Sequence, residues 1–416
     1  MSSPYRAIFA APGTKGFSAA GFIGRLPLSM LGIGIVTMIS QVTGRYGLAG
    51  ALSATLAMSG AVMGPQVSRL VDRFGQRRVL RPAAAITVLA VTGLLLCVVW
   101  GAPDWTLFVF AVPAGATPSL GAMVRARWAV IHHGTPEMHT AYSFESVVDE
   151  VCFIVGPILS IGLSTVWFPE AGPLLAAVFL AVGTFLLTAQ RSTEPVPHPT
   201  SSHTGGSALR SRGLQVMVIT FFATGAIFGS VEVTTVAFAD EQGHKGAASL
   251  VLAVYALGSC LAGLVFGLFR PKGSASRSFL VGVCVMAVSM IPLLLVGNLW
   301  FLAVALFLAG LTIAPTMVTT MALVEQLVPR SKLTEGMTWV STGITVGVAL
   351  GASLSGWVID SSGAKAAFAV PAAAGALAVV VAFLGFRRLR PAPEQEGPRR
   401  HEHDEHDERH SREGVA

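Results

Sequence analysis

The sequence predicts an all-α membrane protein: twelve transmembrane helices in two repeat-related bundles of six. Three observations carry that expectation. Only 12% of the 416 residues are charged and 53% are apolar, with a mean hydropathy of +0.67; a soluble domain carries about 25% charged residues. The polar residues are confined to short joints between apolar runs of roughly 20 residues or more, the length that crosses a hydrocarbon core about 30 Å thick. Basic residues are crowded into alternate joints. Lipid admits only helices or closed barrels, and the alternating strands of a barrel are not there.

The runs follow in order. The stretch before the first, Met1 to Lys15, is too short for a cleavable signal peptide and lacks its apolar segment. Six runs lie near 17–42, 48–70, 79–100, 105–131, 140–165 and 172–190, and six more near 214–239, 247–270, 276–297, 300–328, 335–359 and 364–388. The interruption between the sets, RSTEPVPHPTSSHTGGSALRSRG, has the Pro, Ser, Thr and Gly content of a flexible linker. The expected organisation is an N-terminal bundle over 1–190, a cytoplasmic linker over 191–213, a C-terminal bundle over 214–390 and a charged, disordered cytoplasmic tail over 391–416. Cys97, Cys152, Cys260 and Cys284 all lie inside apolar runs, as packing residues do.

Orientation follows from the basic residues. One set of joints holds Arg69, Arg73, Arg77, Arg78 and Arg81, then Arg191, Arg210 and Arg212, Arg270, Lys272 and Arg277, Arg330 and Lys332, and Arg387, Arg388 and Arg390. The other set holds only Arg45, Lys245 and Lys365. The rich side is expected to be cytoplasmic, with both termini there, in the plasma membrane. The net charge of +6 is then a topology signal. No interleaved aromatic and basic surface suggests nucleic-acid binding.

An internal repeat links the two sets. WTLFVFAVPAGATP in the fourth run matches WFLAVALFLAGLTIAP in the tenth, pairing Trp105 with Trp300, Ala114-Gly115 with Ala309-Gly310, and Pro118 with Pro315. Thr140 and Gly162 of the fifth run match Thr334 and Gly356 of the eleventh. Parallel halves of this kind build alternating-access transporters.

The joint after the second run, SRLVDRFGQRRVL from Ser68 to Leu80, resembles the signature of the major facilitator superfamily, a small residue followed by x-L-x-D-R-x-G-R-[RK]. Leu70, Asp72, Arg73, Gly75, Arg77 and Arg78 stand in equivalent places; Ser68 replaces a usual Gly, and Gln76 a common basic residue. The resemblance implies the fold of that family and a cytoplasmic gate, held when Asp72 faces the start of the eleventh run near Thr334 to Met337. The corresponding joint of the second half, GLFRPKGSASRS, lacks the Asp, so the latch is expected to be one-sided. GPILSIG in the fifth run, with Gly156 and Pro157, loosely resembles the Gly-Pro motif of the family's proton-linked antiporters, with Ser160 for a usual Gly. A packing kink explains it equally well. Gly343, Gly347, Gly351 and Ser355, at four-residue spacing in the eleventh run, suit close helix contact.

Ionisable groups inside spans default to function or to pairing. Arg25 lies well inside the first run, Arg125 and Arg127 near the cytoplasmic end of the fourth, and Glu145, Asp149 and Glu150 in the cytoplasmic half of the fifth. These six charges are expected either to neutralise one another or to supply a substrate anchor, Arg25, and a proton carrier, Asp149 or Glu145. Glu232 stands alone in the seventh run, as a coupling carboxylate or as a residue near the outer mouth. Aligning Gly21 with Gly225 sets Arg25 opposite Gly229, about one helical turn from Glu232. His401, His403, His406 and His410 read as a solvated tail, and no metal site is expected.

The resulting expectation is a secondary transporter of a small organic molecule, a proton-coupled efflux antiporter working by alternating access, monomeric, with substrate, protons and lipid as its partners and no cofactor. Uniport, import, or a non-transporting sensor of the same fold are the alternatives. No nucleotide-binding loop and no nucleophile–base pair indicate an enzyme.

Overall fold

The computed structural model describes residues 4–197, 207–244, 247–269 and 273–389. Among them twelve helices are long and apolar enough to cross a membrane, and no strand occurs. A short helix α1 (Pro4–Ile8) precedes α2 (Thr14–Thr43), α3 (Tyr46–Phe74) and α4 (Gln76–Val99). The fourth span is split into α5 (Asp104–Gly115) and α6 (Leu120–Ile131), and α7 (Glu137–Val166) and α8 (Ala171–Ala189) complete the first six. After the linker come α9 (Arg212–Glu241), α10 (Ala247–Phe266) and α11 (Ala275–Ser289). The tenth span is again split, into α12 (Leu299–Gly310) and α13 (Ile313–Leu327); α14 (Leu333–Ser362), the short α15 (Ala364–Ala367) and α16 (Ala369–Leu384) follow.

The matched segments fall at these two splits. Ala114-Gly115 ends α5 and Ala309-Gly310 ends α12. A Cβ on Gly115 would run into the Leu56 carbonyl and Ser59 of α3; one on Gly310 would run into the Tyr255 carbonyl of α10. Each broken span thus crosses the second helix of its own set closely, which only glycine allows. Pro118 lies in the first break, and Pro315 in the first turn of α13, where its missing N–H is tolerated.

Within the first six spans Met30, Ile35, Leu52, Leu94 and Ala111 share one core, and Phe17, Trp128 and Leu180 another. Ile227, Met286, Leu306 and Phe368 form a core within the last six. A further cluster crosses between the sets, where Ala129, Met138 and Tyr142 meet Met321, Val324, Leu333 and Met337. Gly343, Gly347 and Gly351 lie against the backbone of Val218, Phe222 and Ala226, and Gly225 and Gly229 against Ile344 and Val348, so α9 and α14 touch backbone to backbone. In the first set a backbone-to-backbone approach falls instead between the first and sixth spans, Gly24 of α2 against Gly183 of α8.

Both ends of the described chain lie at one end of the bundle. The Tyr5 hydroxyl donates to the Leu264 carbonyl at 2.8 Å, and the Leu389 carbonyl accepts from Ser276 at 2.5 Å. The Ser68–Leu80 joint is at this end too. At the opposite end Trp100, Trp105, Trp167, Trp300 and Trp357 are exposed, an aromatic girdle of the kind that marks a membrane–water interface.

Candidate functional site

The two sets of six meet at the end that carries the Ser68–Leu80 joint. Asp72, in the last turn of α3, accepts from the Glu335 amide at 2.9 Å and from the Thr334 hydroxyl. It faces the N-terminus of α14, where unpaired amides and the helix dipole favour a negative charge. One turn earlier, Ser68 and Thr338 share a hydrogen bond of 2.8 Å between hydroxyls. The serine that departs from the family pattern therefore makes a contact across the interface that glycine cannot.

The other flank is also closed, which corrects the expectation of a one-sided latch. Thr140 of α7 donates to the Gly267 carbonyl at 2.9 Å, and His139 Nε2 lies 2.8 Å from the Phe266 carbonyl. Both carbonyls lie at the C-terminal end of α10, where donors do what a carboxylate does at an N-terminus. The side without an Asp is held through backbone acceptors. Between the flanks, Tyr142 donates to Glu325 at 3.3 Å and His133 Nδ1 lies 3.4 Å from the same carboxylate. A cleft of about 220 Å³ opens beside Asp72, Gln76, Glu325, Arg330 and Thr334.

The rest of the signature faces its own half. Gly75 turns the chain with φ 91° and donates to the Val71 carbonyl at 2.8 Å. The Arg73 guanidinium lies 5.0 Å from the centre of the Phe74 ring. The Arg77 amide donates to Glu194 of the linker at 2.8 Å, while Arg78 is exposed. Gln76 is buried: its amide donates to the Met123 carbonyl at 3.0 Å and accepts from Arg127 Nε at 2.8 Å. Arg127 is wholly buried and spends its other donors on the Leu187 and Gln190 carbonyls and the Thr193 hydroxyl.

The six intramembrane charges do not form one network. Arg127 belongs to the neutral acceptors just described, because the C-terminal carbonyls of α8 suit a cation. Glu150 points across the interface and accepts from Ser259 of α10 at 2.7 Å. The remaining four are joined: Arg25 pairs with Glu145 and, at 2.8 Å, with Asp149, and Arg125 pairs with Asp149. Glu145 also accepts from the Trp128 indole at 2.7 Å. Two cations thus face two anions. Arg25 is 4% exposed and Glu145 0%, whereas Asp149 keeps 32% of its side chain exposed.

Gly156 packs against Ser29 and Met30 of α2, and α7 runs unbroken through Pro157. Ser29 donates to the Cys152 carbonyl at 2.8 Å, beside the same crossing. Glu232 is exposed on α9 with no hydrogen-bond partner among the described residues. Its depth differs from the sequence alignment. Helices α2 and α9 are both 30 residues long and match end to end at an offset of 198, Thr14 with Arg212 and Thr43 with Glu241. Arg25 then stands opposite Ala223, nine residues before Glu232, or about 14 Å along a helix. The glycine match misled because glycines here mark packing contacts, and these differ between the halves.

Several participants were not legible in sequence. Trp128 and Ser259 are ordinary in their runs. Glu335, 2% exposed, binds the end of the linker through Ser207 and the Ala208 amide; its place in a first helical turn was the available signal. The histidines of the tail lie outside the described residues.

The Major Facilitator Superfamily profile matches residues 17–267 and 236–411. No curated protein sequence matches the chain. Among solved structures it is similar to the human organic anion transporter MFSD10 (TETRAN), at 15% identity and a TM-score of 0.66, covering 91% of this chain and 100% of that one. A bacterial homologue of the iron transporter ferroportin, in an outward-facing state, is similar at 14% identity and a TM-score of 0.70, covering 91% and 100%. FucP in its outward conformation is similar at 11% identity and a TM-score of 0.67, covering 90% and 98%. The profile spans both sets of six helices and their linker, and the chain belongs to the Major Facilitator Superfamily of membrane transporters.

Proposed function

We propose that this transporter moves a small organic molecule across the plasma membrane by alternating access coupled to protons, with the halves 1–190 and 214–390 rocking about the linker 191–213 and both termini in the cytoplasm. The buried set Arg25, Arg125, Glu145 and Asp149 carries the coupling. Charges at this depth are expensive and persist where they are paired or used. Asp149 is shared by both arginines and is the most exposed member of the set. Taking a proton on Asp149 loosens Arg25 and Arg125 together, and Arg25 lies on α2, which Gly156 holds tightly to α7. A change of charge there is passed to two helices at once.

The direction we infer is export, on the resemblance of Gly156-Pro157 and its neighbours to the Gly-Pro segment of proton-linked antiporters. The cytoplasmic ends are supported by the basic joints and by the common placement of both described chain ends. The gate role of Asp72 rests on its contact with the start of α14.

Proton flux per substrate in proteoliposomes tests the coupling, with a substrate found by screening for transport driven by a pH gradient. Asp149→Asn is expected to abolish proton movement while substrate exchange persists. Glu232→Gln is the comparison. Retention of the wild-type ratio in Asp149→Asn refutes this assignment, and loss of the ratio in Glu232→Gln alone moves the coupling to α9.

A further inference from the structure

We infer that the linker is a working part of the gate at the signature end, where Glu194 and Ser207 are positioning residues that hold the two partners of the Asp72 latch; this rests on the proposed alternating access and adds a third component to its gate. Two stretches of the linker carry it, 191–197 and 207–211, one on each half.

The first stretch holds the carrier of Asp72. Helix α4 begins directly after Gly75, which has no side chain to cap it, and its first turn contains no acid. The Arg77 amide is one of the donors such a helix start leaves unpaired. Glu194, 117 residues further along the chain, accepts from it at 2.8 Å. The helix dipole favours a negative charge at the same place. A Cβ on Gly75 would lie 3.0 Å from the Pro197 ring and 3.2 Å from the Glu194 carboxylate, so the linker is seated on the signature turn itself. Thr193, just before, is buried and accepts from Arg127 at 2.8 Å. Asp72 stands three residues before Gly75, on the strut that these contacts fix.

The second stretch holds the other partner. Glu335 gives its amide to Asp72, while its Oε1 accepts from the Ser207 hydroxyl, from the Ala208 amide at 3.1 Å and from the Trp339 indole at 3.3 Å. Its Oε2 is buried with no hydrogen-bond partner among the described residues. A buried carboxylate with one oxygen idle is costly, so the two donors from the linker weigh heavily in holding it. Between the two stretches of contact, Pro195, Val196 and Pro197 line the cleft of about 220 Å³ together with Asp72 and Val71 of one half and Leu333 and Thr334 of the other. The linker thus borders both halves at the point where the latch closes.

Each stretch is bonded to its own half, so the linker acts on the gate by preorganisation. Asp72 and the Glu335 amide meet already aligned, and less freedom is lost when the halves close. Ordering one side chain at an interface costs roughly 0.5–1.5 kcal/mol. Releasing one linker contact is therefore expected to raise the ratio of open to closed gates about fivefold, the equivalent of about 1 kcal/mol.

Spin labels at Arg73 and Arg330 read that ratio in the full chain with Cys97, Cys152, Cys260 and Cys284 replaced by serine. Glu194→Ala and Ser207→Ala are each expected to shift the distance distribution towards the longer value, in the direction of Asp72→Asn. Glu194→Gln keeps an acceptor for the Arg77 amide and is expected to restore most of the closure. A merely structural role would lower the unfolding temperature and leave the ratio where it was. If Glu194→Ala does not fold, Ser207→Ala decides alone. An unchanged ratio in the alanine variants overturns the inference, as does a Glu194→Gln chain that opens as far as Glu194→Ala. A chain that opens with Asp72→Asn but with neither linker variant keeps the proposed gate and loses the linker's part in it; one that opens with none of them loses both.

Discussion

Arg127 and Gln76 show how one polar pair is fixed by its surroundings. A buried guanidinium with no ion pair among the described residues gives its donors to neutral acceptors, and here they come from the end of α8, the linker and Gln76. A basic residue at 76, common in the family, would set a second cation against Arg127. Gln76→Lys is therefore expected to lower stability by about 2–3 kcal/mol, the scale of a lost hydrogen bond to a charged group. Gln76→Glu, which supplies a counter-ion, should be tolerated. Thermal unfolding of the detergent-solubilised protein checks the pair, and equal stability of the two variants contradicts the reading. The departure at 76 was visible in the sequence, but its partner was not, because nothing local ties residue 76 to residue 127. The same holds for the intramembrane charges. Their residue types were legible, whereas the division into a four-membered set, Arg127 with its carbonyls, and Glu150 with Ser259 depends on helix rotation.

At the scale of the helix, sequence reading works where a physical rule is local. Apolar length located all twelve spans, and the Ala-Gly matches fell on the breaks of the fourth and tenth. Packing partners are not local. The glycine stripe of α14 announced a close contact but not that α9 would be its partner. Gly347 lies against the Phe222 carbonyl and the Ala226 amide, whereas a Cβ on Gly162 meets nothing within 4 Å. Gly347→Val is accordingly expected to cost about 1–3 kcal/mol of stability through overpacking, and Gly162→Val close to nothing. Unfolding midpoints that fall equally in both variants would show that propensity and not contact sets the cost. Thr140 extends the argument to the gate. Thr140→Val keeps the shape and removes the donor to Gly267, so it should raise thiol labelling in the interface without unfolding α7. Unchanged labelling would assign the flank to packing alone.

For the molecule as a whole, the hydrogen bonds found between the halves cluster at the end of the signature joint and extend inward to Glu150 and Ser259. This is the arrangement of a transporter closed at one end. Ser192 lies at that end and Ser361 at the other, both exposed. With the signature end cytoplasmic, Ser192→Cys should be labelled only from inside and Ser361→Cys only from outside intact cells; the reverse pattern would invert the assigned orientation. In the proposed cycle, closure at one end opposes closure at the other, and Asp72 biases the balance. Spin-label distances test it most directly, in a background without native cysteines. One pair, at Arg73 and Arg330, reports the signature end, and a second, at Thr43 and Gln242, reports the opposite end. Asp72→Asn is predicted to lengthen the first distance and shorten the second. Distances that stay fixed, or that change in the same direction, would rule out an opposed pair of gates.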